Sequence, residues 1–301
     1  MIAPRPAAPT VGQASTYQVG THKVCAREDG QTKLQTKETL AELYRLSPAT
    51  VEAALDNLAN GQAVVLAFSG KRGSGKDTVG AAVYEELQKG GQGSARSSIR
   101  PLHASFAELL RDEVDDLITM VSNETSTDPT RLVLAATEKF SVPPVQAALV
   151  IGALWSPTRW GDHGLTSRSR TPEVRFVLQY WGTEVRRRQD EGYWIRPTMA
   201  KVLEAAAQGR GSYITDVRYL NEAEACKGIL GYTVRLDITE AEQRRRLAAR
   251  DAAQDAANAG GHASETVLDD WDGFDLRINN SGPMGPTITA VLDLVASRRG
   301  R

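Results

Sequence analysis

Val64-Val65-Leu66-Ala67-Phe68-Ser69-Gly70-Lys71-Arg72-Gly73-Ser74-Gly75-Lys76-Asp77-Thr78-Val79-Gly80 joins an apolar run to a glycine-rich turn, and a helical pattern over 81–88 follows. The apolar run reads as a buried strand, and the glycines have a backbone reason to be there. Gly70, Gly73 and Gly75 can take positive φ, so successive N–H groups can point inward at phosphate oxygens. The start of the next helix adds partial positive charge, and Lys76 adds a full one for the β- and γ-phosphates of a nucleotide. The spacing from Gly70 to Lys76 fits Gly-x-x-x-x-Gly-Lys-[Ser/Thr], but Asp77 stands where a magnesium-binding hydroxyl is expected.

Outward from this stretch, strand and helix alternate. A second strand is expected over 99–104, then a helix with Phe106, Leu109, Leu110, Val114 and Leu117 on its apolar positions. Strands are also expected over 211–218, 231–238 and 274–279, with helices from Asn221, over 240–250 and over 286–297. The fold class is therefore α/β, a parallel sheet of about five strands sandwiched by helices. Residues 119–171 carry helical patterns around 131–139 and 145–154, broken at Pro143-Pro144, and read as an insertion on the ligand side of the sheet.

Composition narrows the function classes. The chain has 301 residues, 41% hydrophobic and 24% charged, enough for a large core. A net charge of −1 gives no global attraction to nucleic acid. The two cysteines, Cys25 and Cys226, lie far apart without metal-ligand spacing, so free thiols in a reducing compartment are expected. The N-terminus lacks the apolar core of a signal peptide and no run approaches a membrane span, so a cytoplasmic protein with no membrane partner is expected. The oligomeric state is open, a homodimer included.

Residues 1–60 read as a flexible arm to about position 20, then a small helical appendage. Its helical patterns carry Leu40, Leu43 and Leu46, then Val51, Ala54, Leu55 and Leu58, broken at Ser47-Pro48. The pair has the outline of a helix-turn-helix, but Glu52, Asp56 and Asn57 dominate the second helix and would repel phosphate. Packing on the main domain, residues 61–301, is expected instead.

Residues 171–201 form a second concentrated stretch, with Arg175, Gln179 and Arg186 on overlapping helical faces and Gly182 between them. Such a face suits a phosphate and a base edge; a solvated arginine-rich helix paired with Glu173, Glu184 and Asp190 is the equal alternative. Asp216 ends a strand beside the phosphate loop, where an acid holds water on Mg²⁺ or caps a helix. Arg244, Arg245, Arg246 and Arg250 precede a mobile-looking Ala- and Gly-rich segment, the outline of a lid over 240–266.

Taken in order, these pieces resemble the bacteriophage deoxynucleoside monophosphate kinases. The carriers are Gly75-Lys76-Asp77-Thr78, then Leu178-Gln179 through Gly182-Thr183-Glu184 with Arg186 and Trp194. Thr215-Asp216-Val217-Arg218 with Asn221-Glu222 follows, and His262-Ala263-Ser264-Glu265 before Ile278-Asn279-Asn280 completes the set. The resemblance spans about 64–295. Animal phosphomevalonate kinases share a Gly-Lys-Asp loop and a similar build, and the Gln-to-Glu helix leans toward the nucleotide.

The resemblance implies a P-loop kinase fold with an acceptor-binding helical region at 119–201, and transfer of the γ-phosphate of ATP to a deoxynucleoside monophosphate. It implies ATP on Gly70, Lys71, Arg72, Gly73, Ser74, Gly75, Lys76, Asp77 and Thr78, and Mg²⁺ on Asp77 and Asp216. The acceptor would meet Arg175, Gln179, Gly182, Arg186, Trp194 and Arg218. Lys76, Arg246 and Arg250 would act on the transferring group. No nucleic-acid partner is implied, and a phage-encoded chain would work in the host cytoplasm. A kinase of another small phosphorylated acceptor, phosphomevalonate-like, is the alternative, with a nucleotide-controlled DNA-binding switch behind it.

Overall fold

A computed structural model of the chain describes residues 15–19, 22–26, 36–89, 100–124, 128–155, 164–169, 171–250 and 266–299. The elements run β1 (Ser15–Val19), β2 (His22–Ala26), α1 (Lys37–Tyr44), α2 (Pro48–Ala59), β3 (Val65–Ser69), α3 (Lys76–Lys89) and β4 (Leu102–Ala104). Then come α4 (Glu108–Ser122), α5 (Thr130–Phe140), α6 (Pro144–Leu154), α7 (Pro172–Gln179) and a π-helical segment, Tyr180–Arg187. The chain closes with α8 (Ile195–Ala207), β5 (Ser212–Val217), α9 (Leu220–Gly228), β6 (Tyr232–Asp237), α10 (Glu240–Arg250), β7 (Leu276–Asn279) and α11 (Met284–Arg299). No helix among the described residues is long and apolar enough to cross a membrane.

The chain forms two compact units, one of residues 1–103 and 200–301, the other of residues 104–199. The first is α/β. Its five strands form an all-parallel sheet in the order β4-β5-β3-β6-β7. Every residue of β3 is buried, as a strand covered on both faces requires. Leu66 and Phe68 of β3 pack with Val79, Val83 and Tyr84 of α3 and Val291 and Val295 of α11. Cys226 of α9 is buried, and that burial pushes its thiol well above the ordinary range. Because β3 precedes its neighbours on both sides in the chain, the strand order reverses around it. Open α/β sheets bind ligands in the crevice beyond the carboxyl ends at such a reversal, and residues 70–75 leave β3 there.

The N-terminal region departs from expectation. Residues up to about 20 read as a flexible arm, whereas Ser15–Val19 pairs antiparallel with His22–Ala26. Tyr17, Val19 and Val24 favour extended backbone enough to form the ladder. Helices α1 and α2 behave as an appendage. Their Leu40, Ala41, Tyr44, Val51, Ala54 and Leu55 are buried. Asn57 of α2 donates to the Ala206 and Ala207 carbonyls at 2.9 and 3.1 Å, which closes the end of α8. Glu52, which would repel DNA phosphate, pairs with Lys37.

The second unit is helical. Its core unites Val114, Leu117, Ile151, Leu154, Val177 and Trp181 from three helices and the π-helical segment. It begins at residue 104, earlier than the expected 119, because α4 packs with α5, α6 and α7.

Candidate functional site

The turn after β3 has the backbone that its glycines allow. Gly70, Gly73 and Gly75 hold φ of 147, 81 and 90°, a region that side chains oppose. Gly70 is also sterically required, since a Cβ there would lie 2.4 Å from the Leu236 carbonyl oxygen. Lys76 opens α3 and folds back over the turn, its Nζ donating to Gly70 O at 2.6 Å and Lys71 O at 3.0 Å. The Ser74 hydroxyl is buried inside the turn with no hydrogen-bond partner among the described residues. An ammonium held on two carbonyls of a glycine turn at a helix start, over a hydroxyl with no described partner, is an arrangement that an anion can complete.

Three side chains from later in the chain hold the turn. Gln243 Nε2 donates to Arg72 O at 2.7 Å, and Asn280 Nδ2 donates to Ser74 O at 2.8 Å. Arg246 Nη1 reaches Gly73 O at 3.4 Å while its Nη2 donates to Asn280 O at 2.6 Å. Glu242 accepts from Arg246 Nε at 2.7 Å, and hydrogen bonds from Arg245 and Arg246 hold its carboxyl down to about 2. Of the expected lid arginines whose side chains are described, Arg246 is the one at the turn; Arg244 and Arg245 are exposed. Arg250 ends α10 with its side chain outside the described residues, as are His262, Ala263, Ser264 and Glu265. Sequence reasoning missed Gln243, masked by the arginines around it. It quoted Asn280 without giving it a role.

Asp77 and Thr78 are exposed in the first turn of α3. Across the sheet, the described partner of Asp77 is Thr215, whose hydroxyl donates to Asp77 Oδ1 at 2.5 Å. Asp216, the expected second acid, is half-buried one residue further on, and its charge acts on the Cys226 thiol of α9. Among the described residues, no group of three or more His, Cys, Asp or Glu side chains gathers as a metal cage. Lys71 lies 3.5 Å from Asp269, and Asp269 also pairs with Arg235, a buried arginine that donates to Ser69 at 3.1 Å.

In the helical unit, three of the six residues expected to meet an acceptor are occupied by the core. Arg186 is 6% exposed, and its Nε and Nη2 donate to Glu113 at 2.9 and 3.1 Å while Nη1 donates to Phe140 O at 2.7 Å. Trp181 Nε1 and the Tyr193 hydroxyl also donate to Glu113, at 2.6 and 2.5 Å. The guanidinium faces the rings of Phe140, Trp181 and Tyr193, with the nearest centroid at 4.8 Å. Trp194 is 3% exposed and donates to Gly182 O at 3.0 Å. Gly182 packs closely on α4: a Cβ there would lie 2.9 Å from Leu110 Cδ2, so the leucine side chain would have to move. Neither a solvated face nor a ligand face describes the surroundings of Arg186. Local π winding brings Trp181 and Arg186, five positions apart, onto the same carboxylate.

Gln179 is exposed and Arg175 half-buried on α7. Beside them Phe176, 43% exposed, stacks on Tyr180 with centroids 5.5 Å apart. Arg218, exposed after β5, donates its backbone N–H to Glu222 at 2.7 Å. A scan against protein-family models finds no match for the chain, and a search of the curated proteins finds none.

Proposed function

We propose that this chain is an ATP-dependent kinase of deoxynucleoside monophosphates, built on a P-loop kinase fold. One observation carries the reading: at the carboxyl end of the central strand, a turn with three positive-φ glycines is closed by the Lys76 ammonium and leads into the N-terminus of α3. That geometry supports anion binding, because a glycine turn, a helix terminus and a full positive charge meet in one place.

Phosphoryl transfer is catalysed by positioning and by neutralising charge. When nucleotide enters, Lys76 would exchange the Gly70 and Lys71 carbonyls for phosphate oxygens, and the Ser74 hydroxyl would gain a partner. Arg246 already lies against the Gly73 carbonyl, so its charge is available to the transferring group without ordering a long side chain first. The donors fit magnesium. Asp77 offers an exposed carboxylate next to Lys76, and Mg²⁺ takes one or two carboxylates while keeping several waters. Bound there, the ion would neutralise charge between the β- and γ-phosphates.

Acceptor recognition is assigned to side chains outside the buried core. Gln179 can read a base edge, and the exposed Phe176 beside it, stacked on half-buried Tyr180, offers a π face for stacking. That pair favours a nucleotide over a non-aromatic phosphorylated acceptor. Arg175 and Arg218 remain the candidates for the acceptor phosphate; Arg186, Trp194 and Gly182, buried in the helical core, are not assigned to it.

The decisive experiment incubates the protein with ATP, Mg²⁺ and a panel of nucleoside and deoxynucleoside monophosphates and follows diphosphate formation. Turnover of deoxynucleotides above slow ATP hydrolysis supports the reading. ATP consumption that no monophosphate increases would defeat it.

A further inference from the structure

Two side chains, Thr215 and His103, continue a chain of hydrogen bonds from Asp77 beside the phosphate loop and have no role in the account above. Thr215 is 5% exposed and gives its single hydroxyl proton to Asp77. His103 Nε2 lies 3.1 Å from the same Thr215 oxygen, so with that proton committed the imidazole must be the donor. The His103 ring is set by stacking on Tyr213, with centroids 4.6 Å apart and planes 6° from parallel.

The backbone is shaped to bring these groups together. Ala67 of β3 pairs with Ile214 and Ser69 with Val217, so β5 takes three residues where β3 takes two. The extra residue falls at Thr215-Asp216, and such a bulge re-aims side chains. Gly80 lets α3 approach β5 closely: a Cβ there would meet the Tyr213 ring at 2.9 Å and Thr215 Cγ2 at 3.3 Å.

In ordinary P-loop enzymes the loop supplies a hydroxyl to the magnesium site and the adjacent strand supplies the acid. We propose that in this chain the two groups have exchanged places, Asp77 being the acid and Thr215 the hydroxyl, with His103 a positioning residue that holds Thr215 as a donor to Asp77. The inference rests on the phosphate-loop reading, and it accounts for the departure at Asp77. A hydroxyl paired with a carboxylate is present at this position whichever element carries which group.

The test is a reciprocal exchange in the full chain: Asp77→Thr, Thr215→Asp and the double variant, each measured for thermal melting without nucleotide and for Mg·ATP binding by calorimetry. Asp77→Thr leaves two hydroxyls facing each other, and Thr215→Asp sets two carboxylates together, so each should weaken Mg·ATP binding about tenfold or more. Thr215→Asp should also lower the melting temperature. The double variant should recover most of both losses, and Thr215→Ser, which keeps the hydroxyl, should bind Mg·ATP better than Thr215→Asp. His103→Gln, which keeps a donor, should bind Mg·ATP better than His103→Phe. A double variant no better than the worse single one overturns the exchange, even where the unaltered protein binds Mg·ATP. If the unaltered protein binds no Mg·ATP, the phosphate-loop reading falls first and the exchange falls with it.

Discussion

The Arg186 guanidinium grips the Glu113 carboxylate with both Nε and Nη2, at 2.9 and 3.1 Å, with both side chains out of solvent. Removing one partner of such a pair leaves an uncompensated buried charge. Arg186→Ala should therefore destabilise the protein by about 3–5 kcal/mol in chemical denaturation. Arg186→Lys should recover little, because an ammonium cannot reproduce the fork that spans both carboxylate oxygens. Retained stability with selectively weakened acceptor binding would return Arg186 to the ligand.

Tyr193 donates to the same carboxylate, and its hydroxyl is pushed up to about 12, first by desolvation and then by the bond to Glu113. A raised folded-state value means the folded protein holds the phenolic proton more tightly than the unfolded chain. The contribution is thus fully present below pH ~10 and is lost as pH rises toward 12. Melting temperature followed from pH 8 to pH 12 should fall less steeply in Tyr193→Phe than in the unaltered protein.

Lys76→Ala removes the ammonium now held on the Gly70 and Lys71 carbonyls. Phosphoryl transfer should drop by about 10²–10³ or more, the scale of losing one preorganised charge-stabilising donor. Melting temperature should change little, since the two carbonyls can be solvated. Near-normal turnover in this variant would refute the phosphate-loop reading.

Gly182→Ala places a methyl 2.9 Å from Leu110 Cδ2 and should cost about 1–3 kcal/mol by overpacking. The same substitution made with Leu110→Ala should cost less than it does alone. A double-mutant cycle in denaturant checks this, and strict additivity would show that the close approach is not what requires the glycine.

Phe176→Ala should raise KM for a deoxynucleoside monophosphate several-fold while leaving KM for ATP and kcat close to the unaltered values, as expected from the loss of about 1 kcal/mol of stacking. Its exposure means that stability should hardly move. An unchanged KM for every monophosphate would leave the stacked pair without a role in the acceptor site.

Much of the α/β unit is legible in the sequence because its signals are local. Val65-Leu66-Ala67-Phe68 is apolar without alternation, as a strand buried on both faces requires, and Thr233 to Leu236 in β6 is buried just as fully. Turn residues and helical spacing then separate the strands, and the helix expected over 240–250 is the α10 observed. The hairpin of β1 and β2 escaped notice because its Ser- and Thr-containing segments show little apolar patterning. The acceptor helix misled for a different reason. Arg186 has the same composition signal whether its charge meets solvent, a ligand or a buried Glu113 from 73 positions away.

The sequence by itself determined the glycines of the turn, the lysine that follows them and the strand and helix that flank them. Each depends only on backbone freedom and on the spacing of apolar residues along a few turns of chain. Only the tertiary structure decided what surrounds that turn. Gln243 and Asn280 hold its carbonyls, and Thr215 of β5 reaches Asp77, with His103 of β4 bonded to Thr215 in turn. It also decided that Arg186 faces inward. Such pairings join residues far apart in the chain, and they are set by burial and by the need to satisfy every buried polar group, neither of which any local stretch of sequence carries.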